Sequence, residues 1–225
     1  MTATANVRIG SRAAYAGLVF CALYAIVFTV LSRIPDASAT QEAAKEFYES
    51  SGERRLVQIA GVYLVPLAGI SLLWFTAAMR HRVAGLAARQ DELLSTVQLL
   101  SAAVYVAMVF AATAILTAPA IGLSTGVVTL ANLGADRSML VVGDSILVVY
   151  ALRAAGVFIG AGTTRALKSG LIPRWVAMLS YLLVIVLLVT VARIRAISML
   201  VPVWVAVMSI FVLVKRPAEQ PSESA

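Results

Sequence analysis

The chain has little charge for its length. Asp, Glu, Lys and Arg make up 13% of its 225 residues, whereas soluble domains carry about 25%. Hydrophobic residues make up 61%, and the mean hydropathy is +0.92. A surface in water needs more charge than this, and a surface in lipid needs none. The composition therefore predicts an integral membrane protein.

Cysteine and histidine each occur once. Cys21 lies inside the first apolar run and has no second cysteine with which to form an internal disulfide. His81 lies between two arginines, with no cysteine or carboxylate cluster that would make a metal site or a bis-histidine haem site. No triad, phosphate loop or dinucleotide fingerprint is present. We therefore expect no catalytic residue, cofactor or metal, which points away from an enzyme.

The net charge of +7 raises the question of nucleic-acid binding. The basic residues, however, occur singly or in pairs between apolar runs and form no basic stripe. Their expected role is to orient the chain in the bilayer, so lipid is a predicted partner and nucleic acid is not.

Six apolar runs meet or approach the roughly 20 residues that a membrane-spanning helix needs. Backbone polar groups must be satisfied internally in lipid, which predicts that each run is a helix. The predicted fold is an all-α, polytopic transmembrane bundle with six spans over residues 13–214, flanked by an N-terminal tail (1–12) and a disordered C-terminal tail (215–225). The runs are Ala13–Leu31, Leu56–Met79, Leu93–Ala118, Met139–Leu167, Trp175–Ala192 and Ile197–Val214.

The basic residues of the loops favour a bacterial inner-membrane protein with both termini in the cytoplasm. Six spans leave ten basic residues inside and seven outside. A seventh span over 119–135, with a turn at Pro119 and Gly122, would leave eight inside and nine outside. We therefore expect 119–135 to be a loop or an interfacial segment.

The N-terminal segment also has features of a signal peptide. Arg8 and Arg12 precede the first run, and Ala37–Ala39 resembles a cleavage site. The run of 19 residues exceeds the roughly 7–15 of a signal peptide, which favours a retained span.

An amphipathic helix is predicted at 38–52, on the outer surface of the bundle. Ser38 and Gln41 have the spacing of a capping box, and Gly52 is the predicted stop. Ala43, Ala44, Phe47 and Tyr48 share one helical face. We expect a helix that shields the bundle rather than a binding site.

The fourth run holds two ionisable residues, Asp144 and Arg153. Such groups inside a span are candidates for function. Their spacing of nine residues puts them on opposite faces of one helix, so they cannot pair within it. Asp144 is close enough to the start of the run to be an interfacial or capping carboxylate. Two roles stay open for Arg153. It could make a structural contact with Tyr105, Thr113, lipid phosphate or Asp144 of another protomer, or it could line a substrate or ion pathway.

Gly156 and Gly160 follow on the same face as Arg153. The Gly-x-x-x-Gly spacing allows two helices to approach closely in lipid. We therefore predict a helix-packing face here, with the partner helix coming from this chain or from another.

Several short features occur in a characteristic order: Phe47-Tyr48, then Arg54-Arg55, and Gly170-Leu171-Ile172-Pro173-Arg174-Trp175 at the start of the fifth run. In this order the chain resembles the uncharacterised bacterial membrane proteins grouped as domain of unknown function 4386, over residues 10–214. The resemblance implies the same multi-span fold and implies no activity or site residue.

Sparse intramembrane polar groups, short loops and the glycine face favour a non-enzymatic accessory or interaction subunit of a membrane complex, bound to other subunits or to itself. A small oligomeric transporter or channel that uses Arg153 is the second hypothesis. An intramembrane enzyme or a lipid- or quinone-binding protein is the third.

Overall fold

The computed structural model describes residues 3–35, 39–84, 92–130, 137–190 and 195–214. Within these ranges the chain forms nine α-helices and no strand. The helices are α1 (Ala3–Leu31), α2 (Gln41–Glu49), α3 (Ser51–Ile59), α4 (Val65–Ala84), α5 (Glu92–Ser124), α6 (Arg137–Ser145), α7 (Leu152–Lys168), α8 (Arg174–Val189) and α9 (Leu200–Val214). A first π turn (Ala60–Leu64) joins α3 to α4, a second π turn (Ile146–Ala151) joins α6 to α7, and a 3-10 turn (Arg195–Met199) leads into α9.

Five helical segments of the described chain are long and apolar enough to cross a membrane. They are Ala14–Leu31, Ser51–Val83, Glu92–Ser124, Ser138–Lys168 and Arg195–Val214. The fifth predicted run forms α8, which is apolar but has 16 residues. The predicted all-α, multi-span fold is therefore confirmed, with α8 as its shortest apolar helix.

The long helices pack side by side around an apolar interior. α1 lies against both α4 and α9, and α5 lies between α4 and α7. The rings of Phe158 and Trp204 meet edge to face, with centroids 5.4 Å apart, where α7 approaches α9. α8 lies at the edge of these five helices (α1, α4, α5, α7 and α9), mainly against α7. It also contacts α9, where Nε1 of Trp204 donates to Oγ of Ser180 at 3.2 Å. The interior contains several fully buried large side chains, among them Phe20, Leu72, Phe75, Tyr105 and Phe158.

The two ends of the bundle differ in composition. At one end, called the Asp144 end, α2 and α3 cover the last turn of α1 and the end of α5, over a small core that contains Tyr48, Val57 and Ala120. The other end holds the last turns of α4 and α7 and the start of α5, and is called the Arg165 end. The number of basic residues in the loops predicts that the Asp144 end faces the outer side of the membrane.

Two helix boundaries differ from the prediction. α1 begins at Ala3, within the segment predicted as a tail, since helix formation is not limited to residues that enter lipid. α5 continues through Pro119 to Ser124, whereas the run was predicted to end at Ala118. Membrane helices tolerate proline because neighbouring groups satisfy the backbone. Residues 125–130 then form turns, so no seventh span occurs within the described part of 119–135.

The amphipathic segment is helical, but its predicted start and stop are wrong. Thr40 caps α2, its hydroxyl accepting from the Ala43 backbone N–H at 3.2 Å. Ser38, the predicted cap, lies outside the described residues. Gly52 lies in the first turn of α3, which Ser50 caps, and so it does not end the helix. The capping rule selected the right residue types at the wrong positions.

The first π turn lies directly before Pro66. A proline inside a helix lacks the N–H that would bond the carbonyl four residues earlier, and its ring clashes with that carbonyl. The wider π turn is a common place for this misfit to be absorbed. Gly61 lies in the turn, where a Cβ would be 2.6 Å from Thr117 of α5. The turn therefore also allows α5 to come close.

Candidate functional site

Asp144 is paired with an arginine from a distant part of the chain. Nε of Arg195 donates to Oδ1 of Asp144 at 2.9 Å, and Nη2 donates to Oδ2 at 3.0 Å. The two side chains are 19% and 13% exposed. This is a bidentate arginine–carboxylate pair, the strongest geometry for such a contact, and it joins α6 to the 3-10 turn.

The same arginine also binds the end of α1. Nη1 of Arg195 donates to the Leu31 carbonyl at 3.2 Å and to the Ile34 carbonyl at 3.5 Å. The last carbonyls of a helix have no partner within it, and a cation there also interacts favourably with the helix dipole. The Arg195 side chain therefore joins α1 and α6 to the turn that precedes α9, at the Asp144 end.

Sequence reasoning selected Asp144 and missed its partner. An interfacial or capping carboxylate was expected, whereas the structure gives it a salt bridge within the chain. Arg195 was counted among the charges that flank a span. It is 51 positions from Asp144 in the sequence, so the sequence alone does not show that the two are close in space.

Tyr48 lies near this pair, on the buried face of α2. It is 2% exposed, and its hydroxyl has no hydrogen-bond partner among the described residues. Burial raises the pKa of Tyr48 to about 12, against a smaller lowering by the Arg195 charge. The hydroxyl therefore stays neutral, and α2 holds it by packing.

A crevice extends from the Arg195 side chain into the membrane interior. Arg195, Ser198, Thr113 and Tyr24 lie on the wall of its outer part. A second part lies deeper and shares Tyr24 with the first. α1 and α5 line both parts, together with α4 in the deeper part and with the 3-10 turn in the outer part.

Arg153 lies on the wall of neither part of the crevice. It is partly buried, and Nη1 donates to the carbonyl of Val149 in its own helix at 2.7 Å. Val149 belongs to the second π turn. The partner of Arg153 in the structure is therefore a backbone carbonyl of the same helical segment. Neither Tyr105 nor Thr113, two of the expected partners, bonds to it.

Replacing Arg153 by Met should leave the protein folded and change its unfolding free energy by less than about 1 kcal/mol. One partly buried hydrogen bond is lost, while the cost of holding a cation in a span is removed. Thermal unfolding in detergent measures this. A loss of several kcal/mol would mean that Arg153 has a further partner in the bundle.

The glycine face of α7 packs against α8 of the same chain. A Cβ on Gly156 would be 3.1 Å from Leu188, and one on Gly160 would be 3.7 Å from Val184. The hydroxyls of Thr164 and Tyr181 lie 2.9 Å apart across the same interface. The small residues thus allow close approach within the monomer, and the face is already covered.

A second buried polar group lies at the Arg165 end, and sequence reasoning did not select it. Arg165 is 6% exposed. Its Nη1 donates to Oε1 of Gln98 at 2.5 Å, and Nη2 donates to the Arg80 carbonyl at 3.5 Å. These contacts join α7 to α5 and to the last turn of α4. As with Arg195, a charge predicted to mark the end of a span serves as an interhelical contact.

The described residues contain no group of three or more His, Cys, Asp or Glu side chains that could hold a metal ion. Sγ of Cys21 donates to the Pro202 carbonyl at 3.1 Å. The charged groups at both ends are engaged in contacts between helices. Among the described residues, these contacts hold helices together, and they place no nucleophile beside a base.

Comparison with protein-family models, with curated proteins and with solved structures finds nothing that matches this chain, so the resemblance to domain of unknown function 4386 stays a prediction.

Proposed function

We propose that this multi-pass protein is a non-enzymatic interaction subunit of a membrane complex, and that α8 is the helix that contacts the partner. The observation that carries the proposal is the position of α8 at the edge of the bundle. One face of α8 packs on α7 and contacts α9, where Oγ of Ser180 accepts from Nε1 of Trp204 at 3.2 Å. The opposite face is uncovered.

The uncovered face of α8 is continuous and apolar. Its side chains recur every three or four residues, which places them in one stripe along the helix. Each is between 38% and 72% exposed: Trp175, Met178, Leu179, Leu182, Ile185, Val186 and Val189. Lipid or another helix must cover this stripe.

The length of α8 favours another helix. Its 16 residues span about 24 Å, against a hydrocarbon core of about 30 Å. A helix shorter than the core is accommodated by thinning of the bilayer, by anchoring side chains or by association with other helices. The glycine face of α7 is covered within the chain, whereas the stripe on α8 is still open for association.

The identity of the membrane and the orientation of the chain in it are part of the same proposal. Ten basic residues on one side against seven on the other support an inner bacterial membrane with both termini in the cytoplasm. The Asp144 end then faces outward. The partner is a second copy of the chain or a different subunit, and the experiment below distinguishes the two.

Photo-crosslinking in native membranes tests the proposal. A benzophenone amino acid replaces Leu182 or Ile185 on the stripe, which are 58% and 57% exposed. Leu67 on α4 is the control, since it is 52% exposed and also lies in a span. We expect a discrete protein adduct from both α8 positions and none from Leu67. Its mass identifies a dimer or a second subunit. Lipid adducts alone at all three positions would contradict the proposal.

A further inference from the structure

Arg153 lies halfway along the helical segment that carries it. The segment runs from Ser138 to Lys168 over 31 residues, so each of its ends is about 22 Å of helix away from Arg153. A hydrocarbon core of about 30 Å extends about 15 Å to either side of its midplane. With both ends of the segment at the headgroups, the backbone of Arg153 lies near the middle of the core.

The side chain of Arg153 does not bring its charge to a headgroup. Nη1 donates to the Val149 carbonyl, which lies one helical turn, about 5.4 Å, nearer the Asp144 end. About 10 Å of hydrocarbon then still separates the guanidinium from the edge of the core. Arginines near helix ends snorkel to the headgroups, whereas Arg153 is far from both ends.

One hydrogen bond satisfies little of this side chain. A guanidinium has five N–H donors and is always charged. Among the described residues, the Val149 carbonyl is the one acceptor that bonds to the guanidinium of Arg153. A cation at this depth is costly in hydrocarbon, and such residues pair with other groups. Arg153 therefore requires an acceptor from outside the described part of the chain.

The surface around Arg153 is open and carries a second polar group. Tyr150, Arg153 and Val157 are spaced by three and four residues, so they share one side of the helix, called the Arg153 face. Tyr150 is 59% exposed and Val157 is 43% exposed. Tyrosine is typical of the membrane surface, whereas Tyr150 is only three residues from the middle of the span.

The short helix α8 leaves this face uncovered. Leu188 of α8 lies next to Gly156 of α7, and α8 ends at Val189. Of the described residues, α8 therefore covers α7 from Gly156 toward the Arg165 end and stops short of Tyr150. A neighbouring helix can pack along the Arg153 face from outside the bundle.

The chain's own carboxylates do not suit this site. Of its 11 Asp and Glu residues, Asp144 is the one well inside an apolar run, and Arg195 already binds both of its oxygens. A second copy with the same orientation would place its Asp144 nine residues, about 13 Å, from the level of Arg153. A carboxylate at the level of Arg153 must therefore come from a different protein.

We propose that Arg153 binds a carboxylate in the middle of a transmembrane helix of a different subunit, which packs along the Arg153 face. The carboxylate accepts two N–H donors of the guanidinium, and the Tyr150 hydroxyl is a further donor on the same face. Pairing the two charges removes most of the cost that each would have alone in lipid. The contact is separate from the α8 stripe, and it specifies the chemistry of the partner.

The test reconstitutes the full chain in phosphatidylcholine vesicles with a synthetic membrane helix as the probe. The probe is a fluorescent polyleucine peptide of about 22 residues with one glutamate at its centre, and a matched peptide has leucine there. Energy transfer from the labelled chain, measured against peptide concentration, gives the affinity in the bilayer. We expect the glutamate peptide to associate at least tenfold more tightly than the leucine peptide. Moving the glutamate seven residues, about 10 Å, from the centre should remove most of this preference.

Arg153→Met should abolish the preference for the glutamate peptide and leave association of the leucine peptide unchanged. Arg174→Gln is the matched control, because it removes an exposed arginine at the start of α8 and leaves the middle of the span intact. We expect the control to keep the full preference. Should Arg153→Met fail to fold, Arg153→Gln takes its place with the same expected loss.

Equal association of the glutamate and leucine peptides would overturn the proposal, and lipid headgroups or water would then satisfy Arg153. A preference that survives Arg153→Met would also overturn it, as would an equal loss in Arg153→Met and Arg174→Gln. None of these results bears on the crosslinks expected from α8, so the two proposals fail independently.

Discussion

Asp144→Asn should lower the unfolding free energy by about 3 kcal/mol, since removing one partner leaves the other as an uncompensated, largely buried charge. Arg195→Gln should cost more, because it also removes the hydrogen bonds to the carbonyls of Leu31 and Ile34. Reversible thermal or denaturant unfolding in mixed micelles measures both. The double variant should recover part of the loss, as the uncompensated charge is then gone.

The chain provides a matched control for this pair. Arg33 and Glu53 form a second ion pair at the same end, with Nη1 3.3 Å from Oε1 and side chains 53% and 30% exposed. Exposed pairs contribute little, so Arg33→Gln should cost less than about 0.5 kcal/mol. If both pairs gave the same small loss, the Asp144–Arg195 contact would not join the helices as described.

Gly17→Ala should produce the second large loss, about 2–3 kcal/mol, from overpacking. A Cβ at this position would be 2.2 Å from Oγ of Ser209 in α9 and 2.7 Å from the ring of Phe75 in α4. α1 is in contact with both helices at this level, so neither neighbour is free to withdraw. Measured in the same unfolding assay, Ser209→Ala in the Gly17→Ala background should restore part of the stability, because it removes the nearest atom.

Gly52→Ala is the control for the glycine effect. A Cβ there would be 3.8 Å from the nearest side-chain atom, and alanine is a better helix former than glycine by up to about 1 kcal/mol. The change should be neutral or stabilising. A similar loss at both positions would show that the close crossing of α1 does not decide the result.

Much of the fold was predictable because lipid imposes a simple rule on the sequence. Long uncharged runs must be helices, and each of the six predicted runs is helical over most of its described residues. The boundaries were less predictable. The rule is silent on residues outside lipid, which is why the start of α1 at Ala3 was missed. Proline is a strong breaker in water and a weak one here, which is why the continuation of α5 through Pro119 was missed.

The candidate site was only half predictable, for a different reason. An ionisable residue inside an apolar run is conspicuous, so Asp144 and Arg153 were selected. Arg195 and Arg165 lie at the ends of runs, where arginine is expected for topology alone. Whether such a residue faces headgroups or turns inward to another helix depends on packing between distant segments, which a single sequence does not record.

The Gly170–Trp175 stretch shows how a short motif can have a structural cause. Gly170 has a φ of +68°, and the backbone N–H of Leu171 bonds the Ala166 carbonyl at 2.9 Å, as at many helix C-termini. Pro173 then caps α8. The stretch forms a tight turn between α7 and α8. The motif therefore has a structural explanation of its own, apart from any family resemblance.

The central claim is that the long apolar helices cross a membrane in alternating directions. Single cysteines in a Cys21→Ala background, placed at Ser50, Thr125 and Ser169, test it with a membrane-impermeant thiol reagent on intact cells and on inverted vesicles. Because α4, α5 and α7 separate these turns, we expect labelling of the first two from one side and of the third only from the other. Labelling of all three from the same side would contradict the account.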